Sequence, residues 1–203
     1  MMKSALLGAS VLALGLAACA PKNPDATATV TTPAPMAGTA TPAALPAPDD
    51  KTKNFVEKAA LSDMFEIESA KIALTRSKVK PVKDFAQMMI DDHTATTVEL
   101  GKLAATAGVM PPTALDEDHL KKLDDLKAAK VQDFDDKYID QQTAAHSAAL
   151  DLMKDYAENG KDVGIEGFAS KVALKVDAHL QKVKALDKSP ADDVTKAPAK
   201  GKS

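Results

Sequence analysis

Aromatic side chains are scarce in this sequence: among 203 residues there is no tryptophan, with five phenylalanines and two tyrosines. So small a complement argues against a carbohydrate site built on stacked rings. A single cysteine excludes an internal disulfide. Neither sign of charge prevails, since 26 Lys and Arg are interspersed with 29 Asp and Glu for a net charge of −3. Such a balance gives no electrostatic handle on nucleic acid, which is not expected as a partner, nor on an acidic membrane surface. There is no glycine-rich phosphate loop and no serine nucleophile elbow. No stretch alternates apolar and polar residues over a useful length, which removes the signal for sheet. What is plentiful is Ala, Leu, Lys, Asp and Met, a composition that favours helix. The fold class expected is all-α.

The ends differ from the middle. Lys3 is followed by the apolar run Ala5 to Ala18, the pattern of an export signal. That run is shorter than the roughly 20 residues a spanning helix needs. It closes on Leu16-Ala17-Ala18-Cys19, which resembles the lipobox of bacterial lipoproteins. The resemblance implies removal of residues 1–18 and acylation of Cys19, with palmitate-type chains anchoring the protein to a membrane. Two or three chains hold durably, because each buried methylene contributes about 0.8 kcal/mol. Ala20 follows where an Asp would retain the protein at the inner membrane, so an outer-membrane address is expected if the host has two membranes. Residues 19–50 are rich in Ala, Pro and Thr and hold seven of the twelve prolines. They are expected to form a solvated tether, with a reach of up to roughly 90 Å if extended at about 3.1 Å per residue. Residues 188–203 have a similar character and are expected to be a loose tail.

Residues 51–187 carry helical periodicity throughout. The first helix, about 52–76, shows Phe55, Ala59, Ser62, Glu66, Ala70 and Ala73 on one stripe. Pro81 suits the opening of a second, which carries Val82, Phe85, Met89, His93, Thr96, Leu100 and Leu103 and should stop near Gly108. A connection with a short helix follows, with Thr113 as candidate cap and Leu115, Leu120, Leu123 and Leu126 as its apolar side. The third long helix, about 131–158, aligns Phe134, Tyr138, Gln142, Ala145, Ala149, Leu152 and Tyr156. The fourth, about 163–186, aligns Ile165, Phe168, Val172, Val176, His179, Val183 and Leu186. Two tight hairpins joined by a long connection is the ferritin-like four-helix arrangement with its short extra helix in the crossover. A plain up-down bundle satisfies the same periodicity.

Several of these segments also resemble a known family. Phe55 to Ser69, Val82 to Thr94, Asp135 with Lys137 and Tyr138 leading to Gln142 and Ala145-His146, and His179-Leu180 together resemble the bacterial domain of unknown function numbered 4142, whose members are often described as outer-membrane proteins. The resemblance spans roughly 53–187. It implies a ferritin-like fold in an envelope protein and carries no reaction with it.

Glu66, His93, His146 and His179 each lie near the middle of a different long helix. Mid-helix residues of antiparallel helices meet at one level, so a polar layer of one carboxylate and three imidazoles is expected. Such a set suits one Zn²⁺, Cu²⁺ or Fe²⁺ ion, and Gln142, four residues before His146, is placed to orient its ring. The same five residues can instead pair among themselves as a buried layer that fixes helix register. A ferritin-type di-iron site is excluded by spacing. It needs Glu-x-x-His, whereas Ile90, Thr143 and Val176 stand three residues before His93, His146 and His179. His119 reads as exposed, and Met64, Met88 and Met89 as core filler. The expected function is that of a non-enzymatic envelope lipoprotein, a helical module for binding or stress-related maintenance with no identified protein partner. The alternative is a metal-binding or redox protein with its Glu/His site in the bundle core.

Overall fold

Helix boundaries follow from capping chemistry. In the computed structural model, which describes residues 47–187, α1 spans Asp50–Arg76. The Asp49 carboxylate accepts hydrogen bonds from the amides of Lys51 (2.9 Å) and Thr52 (3.1 Å), supplying partners that the first turn of a helix lacks. Helix α2, Lys80–Thr106, has Pro81 in its first turn, where a missing N–H costs nothing. It ends at Gly108, whose φ of +71° turns the chain so that Val109 N–H reaches the carbonyl of Ala104 at 2.8 Å. Helix α3 is Glu117–Ala128, α4 is Phe134–Asn159 after a 3-10 turn over Val131–Asp133, and α5 is Val163–Asp187. The expected signal segment (1–18), Cys19, most of the expected proline-rich tether and the expected tail lie outside the described residues.

Cross-helix pairs define the topology. Asp63 of α1 meets His93 and Thr97 of α2, so these helices form an antiparallel hairpin across the turn at 77–79. Thr52 meets Tyr156 (2.7 Å) at one end of α1, and Arg76 lies 4.8 Å over the Phe134 ring at the other, so α1 and α4 are antiparallel too. Asp92 with Lys175 and Met88 with Lys182 set α2 antiparallel to α5. It follows that α2 and α4 run parallel, and the chain between them must travel back along the whole bundle. This is the ferritin-like connection, with α3 lying in the crossover against α1 and α4.

The core is aliphatic and aromatic, with large side chains such as Phe55, Met89, Leu100, Phe134 and Ile165 almost fully buried. Each contributes about 1.5–3 kcal/mol through burial. At one end Phe55 packs on Tyr156 at 4.3 Å between centroids. At the other, Arg76, the only arginine in the chain, donates to the carbonyls of Leu126 (3.1 Å), Lys127 and Ala129 (2.5 Å). It thereby supplies partners for the unsatisfied carbonyls where α3 ends and pins the crossover down.

Several sequence expectations shift by local chemistry. Asp116, not Thr113, caps α3 by accepting from the His119 amide at 2.8 Å. Leu120 is half exposed, leaving Leu123 and Leu126 as the buried side of α3. His119 is not simply exposed. Its ring sits 5.3 Å from Phe65 and its Nδ1 is 2.7 Å from Asp116, on the rim of a groove of about 720 Å³ floored by Leu61, Ala145 and Leu152. Met89 is buried as filler, with Met64 and Met88 only partly so.

Candidate metal centre

The inward stripe of α1 runs Ala59, Asp63, Glu66, Ala70 and Ala73, all buried. Opposite it, α2 contributes His93 and Thr96, α4 contributes Tyr138, Gln142 and His146, and α5 contributes His179. The layer expected at mid-bundle therefore exists. His93, His146 and His179 converge with ring centroids 5.5 to 5.7 Å apart. All three are at least 94 % buried.

Each ring uses one nitrogen outward. His93 Nδ1 lies 2.8 Å from Asp63 Oδ1, and the other oxygen of that carboxylate accepts from the hydroxyls of Thr96 (2.9 Å) and Thr97 (3.1 Å). His146 Nδ1 donates to the main-chain carbonyl of Gln142 at 2.8 Å. A carbonyl only accepts, so the proton sits on Nδ1 and Nε2 carries a lone pair. His179 Nε2 is 2.8 Å from Asp92 Oδ2. The remaining nitrogens, Nε2 of His93, Nε2 of His146 and Nδ1 of His179, are buried with no partner among the described residues. One nitrogen from each ring lies within 4.8 Å of the others. A tetrahedral ion with Zn–N bonds of 2.0–2.1 Å would bring its ligands to about 3.4 Å apart, a closure within the reach of side-chain motion. Rings held by carboxylates and carbonyls on one nitrogen, with the other bare, match the way proteins orient metal-ligating histidines.

Glu66 is in the layer but outside the convergence. Its Oε1 is 3.5 Å from His146 Nδ1, the nitrogen already bonded to Gln142, and its Oε2 has no partner among the described residues. Burial pushes its carboxyl up to about 7. The same burial, and for Tyr138 the nearby Glu66 charge, holds the Tyr138 phenol well above its usual range. Burial, helped by the charge on His93, lowers His146 to about 4, and burial likewise lowers His179 to about 4. At His93 burial again pulls the value down, but the bond to Asp63 and the charge of Glu66 outweigh it, so it is raised. Burial thus favours the neutral, ligand-competent form of His146 and His179, while Asp63 and Glu66 draw a proton toward His93.

Gln142 holds His146 through its main chain, and its side-chain amide donates instead to Ser69 Oγ at 3.0 Å. The self-contained pairing of Glu66, His93, Gln142, His146 and His179 is thus not the arrangement present. Two carboxylates that sequence reasoning passed over, Asp63 and Asp92, do the orienting. Asp63 fits the stripe of Ala59 and Glu66 at spacings of four and three, a better fit than Ser62, which is only half buried. Asp92 reads in sequence as one more acid of a solvated face, and only the register of α2 against α5 reveals its bond to His179.

Fold and site together define a ferritin-like helical bundle with a buried three-histidine cluster capable of coordinating a transition-metal ion. The chain belongs to the DUF4142 family, described as a domain of unknown function, whose profile matches residues 37–186. Among curated proteins none matches the sequence. The crystal structure of a DUF305 fragment from Deinococcus radiodurans is similar to it, with a TM-score of 0.61 over 70 % of this chain and 97 % of that one. At 12 % identity this likeness concerns the fold alone. No helix among the described residues is long and apolar enough to cross a membrane.

Proposed function

We propose that the domain is a metal-binding protein of the cell envelope, holding one Zn²⁺, Cu²⁺ or Fe²⁺ ion on His93, His146 and His179. The observation that carries this reading is the set of three bare, buried ring nitrogens facing one another. Each unsatisfied buried polar atom costs about 1–3 kcal/mol. A layer that served only to set helix register would be better served by mutual pairing. Neutral imidazole suits all three ions. Charge favours a divalent one. Asp92 is matched by Lys175 at 2.6 Å, which leaves Asp63 and Glu66 as two carboxylates with no lysine or arginine partner among the described residues. Sequence supports the address: Leu16-Ala17-Ala18-Cys19 is read as a lipobox, with acylated Cys19 tethering the bundle to a membrane, the outer one where two exist.

The test is elemental analysis of the full chain, purified in detergent without chelator or histidine tag. Near one ion per chain is expected, lost in His146→Ala. A metal-free chain that also ignores added Zn²⁺, Cu²⁺ and Fe²⁺ would return the histidines to a purely structural role.

A further inference from the structure

The three histidines are sealed inside the bundle, so an ion needs a way in. We propose that Asp92 is the port through which a divalent cation reaches the cluster, with the Lys175 ammonium occupying that port until the cation arrives. The inference rests on the metal-binding reading above.

The groups that orient the rings differ in their access to water. The side chain of Glu66 is 1 % exposed and that of Asp63 is 11 %. Thr96 and Thr97 close over the second oxygen of Asp63. The Gln142 carbonyl belongs to a fully buried residue. Asp92 alone among these partners opens outward, with 30 % of its side chain exposed. One oxygen bonds the His179 ring and the other accepts from Lys175, itself 40 % exposed. The imidazole of His179 therefore connects surface to core: Nε2 meets the partly solvated carboxylate, and Nδ1 is bare inside the cluster.

The seam around Asp92 is polar and exposed. Lys171 pairs with Glu99 on the outer face of the same two helices, and Lys182 rests on Met88 further along. A carboxylate at the rim attracts a cation and raises its local concentration, and a neighbouring ammonium competes for the same oxygens. An ion that displaces Lys175 from Asp92 is one imidazole away from the other two ligands. Release of the Nε2 bond frees the His179 ring to swing and draw the ion inward. The buried Asp63, in an equivalent bond to His93, offers no such route.

The experiment mixes the metal-stripped full chain in detergent with Zn²⁺ and follows uptake by competition with a chromophoric chelator. Asp92→Asn keeps a hydrogen-bonding group beside His179, and should slow uptake at least about tenfold. Lys175→Met should speed it several-fold. Asp63→Asn should instead weaken retention, by roughly 10- to 100-fold, and slow uptake less than Asp92→Asn does. Circular dichroism checks that each variant is folded. If Asp92→Asn and Asp63→Asn slow uptake alike, or if Lys175→Met slows it, Asp92 is not the port even though the site binds metal. A wild-type chain that takes up no Zn²⁺ overturns the port for this ion, and elemental analysis then says whether the metal-binding reading falls with it.

Discussion

Glu66 is the costliest residue of the layer when no metal is bound. An ionised carboxylate fully enclosed in the bundle has lost its water, and its proton affinity rises to about 7 in consequence. The unfolded chain ionises it near 4.5, so its cost is absent below that pH, grows between 4.5 and about 7, and is complete above 7. Glu66→Gln should therefore stabilise the metal-free protein at pH 8 by about 2 kcal/mol, while reducing metal affinity because a compensating charge is lost. His146 and His179 act in the opposite sense. Their folded-state values near 4 lie below the ordinary 6.5, so the unfolded chain binds more protons between those limits. Their contribution is whole above 6.5 and is lost as pH falls toward 4. With two histidines against one glutamate, the metal-free chain should lose stability steadily on acidification through this window, and more steeply in Glu66→Gln. Urea titrations at pH 4.5, 5.5 and 6.5 measure both slopes. A flat profile would mean that the rings are solvated.

At the scale of the element, two positions set the ends of helices in ways that composition does not reveal. A β-carbon on Gly160 would lie 2.5 Å from Tyr156 Cε1 and 2.6 Å from its carbonyl oxygen, although the backbone there is extended and open to any residue. Gly160→Ala should lower stability by about 1–3 kcal/mol through this crowding. Thermal unfolding tests it, and a neutral result would show that both the Tyr156 ring and the backbone at its carbonyl yield freely. Arg76 is the second. Its fork donates to three carbonyls around the end of α3, and its face rests on Phe134. Lysine has neither the fork nor the plane, so Arg76→Lys should loosen α3, seen as faster amide exchange there, with α5 unaffected. The long helices were legible because their apolar stripes keep the 3.6-residue period, and Gly108 marks a real end. His93 and His179 stood out as polar residues on those stripes, and His146 as their partner one turn beyond Gln142. Asp63 and Asp92 did not, because an acid on an Asp-rich helix looks solvated until its neighbour across the bundle is known. The side chain of Gln142 suggested a role that the backbone carbonyl fills, since spacing brings both within reach and only geometry chooses between them.

At the scale of the whole molecule, the bundle has no membrane-spanning helix of its own among the described residues. The proposed attachment depends on Cys19. Cys19→Ser should move the chain from the membrane fraction to the soluble one after fractionation, and recovery in salt-washed membranes regardless would count against acylation. Metal should raise the melting temperature by mass action. At a free concentration a hundredfold above the dissociation constant the gain is about 2.7 kcal/mol, or roughly 8 °C for a domain of this size. His93→Ala should abolish that gain.

The long crossover has a consequence for the order of assembly. It divides the chain into two hairpins that can each zip from a short turn, and it puts His93 on the first and His146 with His179 on the second. The three ligands cannot meet until the hairpins have docked, a step that closes far longer loops than either turn does. Metal affinity would then appear only late in refolding, after most helix has formed. Once bound, the ion would bridge the two halves of the chain. Amides on both hairpins would slow together in hydrogen exchange, because neither half could open without breaking the same coordination bonds.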